Sequence, residues 1–148
     1  MGVMTPEHET WLPIPGYEGF YEVSDQGRVR SVERRTQQAD YMRRFPARTL
    51  SVATRKDGYR HVGLSKRGVV KTFLIHRLVC MTFHGLQPDW AECIRHLDGD
   101  RSNNAASNLR WGTHTENAAD MISHGNNIGN WRRRIARRAT LTQVTTCG

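Results

Sequence analysis

Lysine is scarce in this chain: of its 22 basic residues 19 are arginine, leaving only Lys56, Lys66 and Lys71. That bias speaks against simple charge balancing and favours the planar, two-pronged contacts a guanidinium makes with phosphate. Acidic residues number 14, so the formal net charge is +8. The sequence pI is near 10.1, which points to a polyanionic partner and away from an acidic or small apolar one. No apolar run approaches the roughly 18 residues of a membrane span, and the N-terminus lacks a charged-then-apolar signal pattern. Transmembrane and secreted readings fall away, no membrane partner is expected, and the expected compartment is the cytoplasm. Cysteine is equally sparse. Cys80, Cys93 and Cys147 are odd in number and form no C-x-x-C, which argues against a disulfide framework and against structural zinc. Cys80 and Cys93 are expected as buried thiols.

What is present falls into four stretches, with expected boundaries at 1–9 for an N-terminal tail, 10–74 for a β-rich module, 75–125 for a compact catalytic unit and 126–148 for a basic tail. The 148 residues suffice to bury about two-thirds of the unfolded surface. The first 24 residues hold Glu7, Glu9, Glu18 and Glu22 with no lysine or arginine; the charge reverses from Arg28 onward. Trp11 to Ser24 mixes helix-breaking Pro and Gly with aromatic and β-branched residues that suit short strands. Asp25-Gln26-Gly27 reads as a turn into Arg28-Val29-Arg30-Ser31-Val32, whose alternation predicts a half-buried strand. Val23, Val29 and Val32 then face inward, and Arg28 and Arg30 sit side by side on the other face, open to DNA or simply to solvent. Glu33 to Arg48 has no clean period and reads as a long loop. Three β-rich runs follow, Leu50 to Ala53, Tyr59 to Leu64 and Val69 to Ile75, separated by Lys56-Asp57-Gly58 and Lys66-Arg67-Gly68 and predicting a meander.

Helical spacing of Leu74, Ile75, Leu78, Val79 and Phe83 predicts an amphipathic helix over residues 75–84. A strand within Glu92 to Leu97, an Asn-, Ser- and Asp-rich loop over 100–107, a strand at Leu109-Arg110-Trp111 with Trp111 in the core, and a helix from Thr113 or Thr115 to His124 ended by Gly125 complete the unit. The histidine ending the first strand should face the start of that helix, so an imidazole and a helix-borne oxygen converge. That is the arrangement phosphodiester hydrolysis needs: a base near neutral pH and a cation beside the phosphate. The last stretch carries Trp131 and then Arg132, Arg133, Arg134, Arg137 and Arg138, five arginines in seven positions, read either as a nucleic-acid tail or as a solvated end.

The pieces I-H-R-L-V at 75–79, R-H-L-D-G-D-R-S-N-N at 95–104, N-L-R-W-G-T at 108–113 and T-E-N-A-A-D at 115–120 resemble the HNH endonucleases of the phage and homing type, whose catalytic unit is the ββα-metal fold. Upstream, W-L-P-I-P-G-Y-E-G-F-Y-E-V-S-D-Q-G-R-V-R-S resembles the nuclease-associated modular DNA-binding segment that precedes this unit in many such enzymes. The resemblance implies an α+β fold and a metal-dependent endonuclease that cuts duplex DNA to 5′-phosphate and 3′-hydroxyl ends. It makes His96 the general base, Asn108 the residue that braces the loop and orients the base, and Asn117 a metal ligand.

Where the family often places a ligating Asp, this chain has Arg95, which cannot ligate a cation. Two readings follow: Arg95 contacts phosphate while another group ligates, or metal binding is impaired. Asp120, three residues after Asn117 on the same helical face, is the substitute ligand; Asp98 and Asp100 are expected to serve the loop itself. An oxygen-rich site without thiolates suits Mg or Mn. His76 is read as a packing or bracing histidine. The candidate DNA contacts are Arg28, Arg30, Arg77, Arg95, Arg132, Arg133 and Arg134, with no small-molecule cofactor. A DNA-binding protein that has lost cleavage is the alternative that Arg95 motivates, and an RNA-binding protein is disfavoured by the lack of an aromatic stacking pattern.

Overall fold

The computed structural model describes residues 8–125; Cys147, Trp131 and the tail arginines Arg132, Arg133 and Arg134 lie outside them. Chain order begins with β1 (Trp11–Pro13), β2 (Tyr21–Ser24) and β3 (Val29–Ser31), antiparallel with Leu12 opposite Val23 and Val23 opposite Val29. The turn between β2 and β3 closes on Ser24, whose Oγ accepts the backbone N–H groups of Gln26 and Arg28. Gly27 takes φ +83° there, a conformation that a side chain would strain.

Residues 33–48 are not a loop. β4 (Arg34–Gln38) and β5 (Tyr41–Phe45) form a two-stranded hairpin, Arg34 opposite Phe45 and Gln38 opposite Tyr41. No apolar alternation marks it because it buries almost nothing. It is held instead by the Arg34 guanidinium, 4.8 Å from the Phe20 ring and 4.5 Å from that of Phe45, and by the Arg44–Glu33 pair at 2.9 Å. β6 (Arg48–Thr49) then joins β3, giving the sheet order β1-β2-β3-β6.

A meander follows as β7 (Ala53–Thr54), β8 (Arg60–Lys66) and β9 (Val69–Leu74). Leu50 and Val52 are not strand residues; they pack on the core from a connecting segment. The β8–β9 turn uses two positive φ angles, +51° at Arg67 and +79° at Gly68, the twist-matched form for a two-residue hairpin.

Helix α1 (Ile75–Phe83) buries Ile75, Leu78, Val79 and Cys80. β10 (Cys93–His96) and β11 (Leu109–Gly112) pair antiparallel, His96 opposite Leu109 and Cys93 opposite Gly112. Thr113 caps α2 (His114–Ser123) through a reciprocal pair with Glu116, and Gly125 takes φ +68° just beyond it, as the sequence predicts. Trp111 is not a core residue: it is half-buried and its indole N–H reaches the Gly85 carbonyl at 2.9 Å.

The fold is α+β, strand-rich with two helices. One buried cluster runs through it, joining Ile14, Val23 and Val29 of the first sheet to Val62, Leu64, Leu78 and Leu109. The core therefore crosses residues 74 and 75 without a break. A second junction is polar: the Asp25 carbonyl accepts the Ala106 N–H at 2.7 Å, docking the β2–β3 turn on the loop between β10 and β11. Among the described residues no helix is long and apolar enough to cross a membrane.

Candidate active site

Beside the end of β10 lies a cavity of about 600 Å³ whose lining includes His96, Asn117, Asp120, Met121, Thr54, Tyr59 and Arg101. His96 and Asn117 do converge here, but not through the start of α2. Because Cys93 pairs with Gly112, the helix starts beside the beginning of β10 and runs back along it, so its later turns come up to His96; His124 Nε2 ends 2.6 Å from the Leu97 carbonyl.

His96 is buried, and its Nε2 lies 3.2 Å from Asn104 Oδ1. A carbonyl oxygen only accepts, so Nε2 carries the hydrogen and Nδ1 keeps the lone pair. Burial lowers the imidazole below its ordinary value, against the opposing pull of the Asn104 hydrogen bond and the Asp98 and Asp100 carboxylates. Burial thus favours the neutral ring, the form a general base requires.

Asn104, not Asn108, makes the side-chain contact to His96. Asn108 shapes the loop: its Oδ1 accepts the Asp98 N–H at 2.9 Å, and its Nδ2 donates to Asp98 Oδ1 and the Asn103 carbonyl, both at 2.9 Å. Asp98 and Asp100 are consumed internally, Asp98 also by Asn103 at 2.7 Å and Asp100 by Ser102 at 2.6 Å. Gly27 backs this arrangement from the N-terminal sheet: a Cβ there would lie 2.9 Å from Asn104 Cβ, closer than side chains pack.

Three further residues stand around His96. The His76 ring centre is 5.2 Å from that of His96 and 5.0 Å from that of Tyr59, the bracing position the sequence suggests for it. Burial, then the positive charges possible on His96 and Arg77, push His76 down to about 4. Arg101 donates to the Asp57 carbonyl at 2.8 Å and stacks 5.0 Å from the Tyr59 ring centre. Tyr59, Asn104 and Arg101 carry no role in the sequence reading; the Asn pair at 103–104 is the one local signal, and it bears on Asn104 alone.

At the other edge stands Arg95. Its Nε donates to Asp120 Oδ2 at 2.7 Å and its Nη2 to Oδ1 at 2.9 Å, with Nη1 3.6 Å from Glu116 Oε1. Both Asp120 oxygens are therefore occupied. Of the two expected metal ligands, Asn117 offers a neutral amide and Asp120 a carboxylate already neutralised by a guanidinium that repels a divalent ion. Among the described residues no group of three His, Cys, Asp or Glu side chains is disposed to hold one. The donor set as it stands does not fit a divalent cation.

The remaining arginine candidates are spread out. Arg28 pairs with Glu9, its Nε at 2.8 Å, and Arg30 pairs with Glu22 at 2.7 Å; both lie over the Trp11 ring, at 5.7 and 4.2 Å. Arg77 is exposed on α1.

Residues 9–65 match the NUMOD4 motif and residues 73–119 match the HNH endonuclease family. Over 116 residues, 78% of this chain and 59% of the relative, the sequence is 38% identical to the DNA endonuclease I-HmuI of Bacillus phage SP01. An uncharacterized HNH endonuclease of Acanthamoeba polyphaga mimivirus is 33% identical over 105 residues, 71% of this chain and 28% of the relative. Among solved structures, one described as DNA binding and cleavage by the HNH homing endonuclease I-HmuI aligns with a TM-score of 0.64 at 36% identity, covering 86% of this chain and 66% of that one. The chain thus spans about three-fifths to two-thirds of the length of I-HmuI. HNH endonucleases generally use divalent metal ions, which sets the Arg95–Asp120 pair apart as a departure.

Proposed function

From the premise that this chain is of HNH type, a NUMOD4 motif leading into an HNH endonuclease segment, we propose that it is a DNA endonuclease. It binds duplex DNA and hydrolyses a phosphodiester bond in the cavity beside His96. The observation that carries the reading is the buried imidazole of His96, its Nε2 3.2 Å from Asn104 Oδ1, lining a cavity large enough for a sugar–phosphate unit. His96 Nδ1 takes a proton from a water molecule; the water oxygen bonds to phosphorus, the bond to the 3′ oxygen breaks, and that oxygen leaves as a hydroxyl once protonated. Asn108 and Asp98 hold the loop that carries Asn104, and Asn117 lines the phosphate side of the cavity. The Mg or Mn the resemblance calls for finds no free pair of charged oxygens in Asn117 and Asp120.

DNA contact falls to Arg95 beside Asp120, to the exposed Arg77 of α1, to Arg28 and Arg30 on the first sheet, and to the tail arginines Arg132, Arg133 and Arg134. Phosphate contacts of this kind position the duplex without reading its sequence. The Arg95–Asp120 pair specifically favours a second reading, a DNA-binding protein that no longer cuts. Incubating the full chain with supercoiled plasmid in chelator, in Mg and in Mn, alongside duplex binding under the same conditions, decides between them. Nicked or linear product supports the endonuclease; duplex binding with no product under any condition replaces it by the second reading.

A further inference from the structure

The chain builds a seat for Arg95 out of three separate elements. The stem of Arg95, on β10, crosses Gly112 on β11, where a Cβ would overlap Arg95 Cδ and lie 3.0 Å from Cγ. The φ of Gly112 is not among the positive ones, so the glycine is explained by room for that side chain rather than by backbone strain. From α2, Asp120 binds the guanidinium through both oxygens, and Glu116 stands behind it. Glu116 is itself fixed by the Thr113 N–H at 2.8 Å. The Arg95 and Asp120 side chains are each only 20% exposed, which limits solvent screening of the pair. Only two of the five guanidinium N–H groups go to Asp120, so three remain for another anion.

We propose that Arg95 is the built-in cation of this site: it neutralises Asp120, presents its remaining N–H groups to a DNA phosphate, and keeps a divalent ion from being held at Asn117 and Asp120 by the protein alone. For an ion to use Asp120, Arg95 must leave a seat shaped for it and lose its partner. The inference deepens the endonuclease reading by naming what supplies positive charge at the phosphate. Its two arms separate the failures, because the first involves no DNA.

In the first arm, Mn is titrated into the full chain and free Mn is followed by electron paramagnetic resonance. Wild type shows no site tighter than millimolar; Arg95→Asp creates one, weakened about tenfold or more when Asn117→Ala is added. A tight site in wild type that Asn117→Ala or Asp120→Ala abolishes overturns the proposal, as does an Arg95→Asp variant that gains none. Circular dichroism checks folding. Should Arg95→Asp fail to fold, Arg95→Gln, which frees Asp120 without adding a charge, takes its place under the same criteria. In the second arm, wild-type duplex affinity is the same in chelator and in Mn, and Arg95→Gln flattens the dependence of log affinity on log salt by about one unit. An unchanged slope removes Arg95 from the phosphate.

Discussion

The two edges of the cavity are built from different materials. At the His96 edge, the buried ring meets a neutral amide, Asn104, on a loop that Asn108 closes together with the Asp98 carboxylate. At the Asp120 edge, the lining carboxylate is backed by Arg95 and Glu116, charges held on a strand and a helix that need no help from the N-terminal sheet. A neutral edge is vulnerable to protons and to packing, whereas a charged edge is vulnerable to salt and to loss of a partner. The His96 edge also reaches further. Through Gly27 and Asp25 it is backed by the β2–β3 turn, so the segment that matches NUMOD4 packs directly on the loop that carries Asn104.

Acid should break the His96 edge first. The folded His76 value of about 4 lies below the unfolded imidazole near 6.5, so the unfolded chain binds more protons in between and stability falls as pH drops from about 6.5 towards 4. The loss reaches on the order of 3 kcal/mol by pH 4. Urea unfolding at pH 7, 5 and 4 measures it, and His76→Phe should remove most of the slope. Asn104→Ala comes next. Leaving the buried Nε2–H of His96 without an acceptor should cost about 1–3 kcal/mol, and cleavage should fall by at least tenfold while duplex affinity holds. An unchanged rate would take Asn104 out of the positioning of the base.

Glycine substitutions sharpen the contrast between regions. Gly27→Ala and Gly125→Ala both place a side chain at positive φ, for about 1–2 kcal/mol each, but only at Gly27 does the new Cβ meet a neighbour, Asn104. Thermal melting should therefore drop for both and cleavage for Gly27→Ala alone; equal cleavage in the two would detach the N-terminal turn from the base. The smallest effect is expected at Arg30, paired with Glu22 on the surface. Arg30→Ala should change stability by less than about 1 kcal/mol, yet flatten the salt dependence of duplex binding by about one unit if the arginine meets a phosphate.

Legibility in the sequence divided along similar lines. The segment from α1 to α2 could be read because its signals are local: helical spacing at Ile75, Leu78 and Val79, the Thr113–Glu116 cap, and loop carboxylates beside their own N–H donors. The hairpin of β4 and β5 was invisible because stacked arginines rather than an apolar face hold it together. Within the site, His96 and Asn117 were named through the family resemblance, while Asn104 as partner of His96 was not legible, since a run of two asparagines does not say which one turns inward. That Asp120 is taken by Arg95 could not be read either. The two are 25 residues apart, and their meeting depends on α2 running back along β10. The tail arginines Arg132, Arg133 and Arg134 lie outside the described residues, and their contribution rests on composition alone.

Single-turnover cleavage by His96→Ala, with and without added imidazole, tests the central claim most directly. The account predicts a loss of at least about 100-fold, duplex affinity within a few-fold of wild type, and partial recovery when free imidazole enters the space the side chain leaves. Cleavage by His96→Ala at the wild-type rate would contradict it.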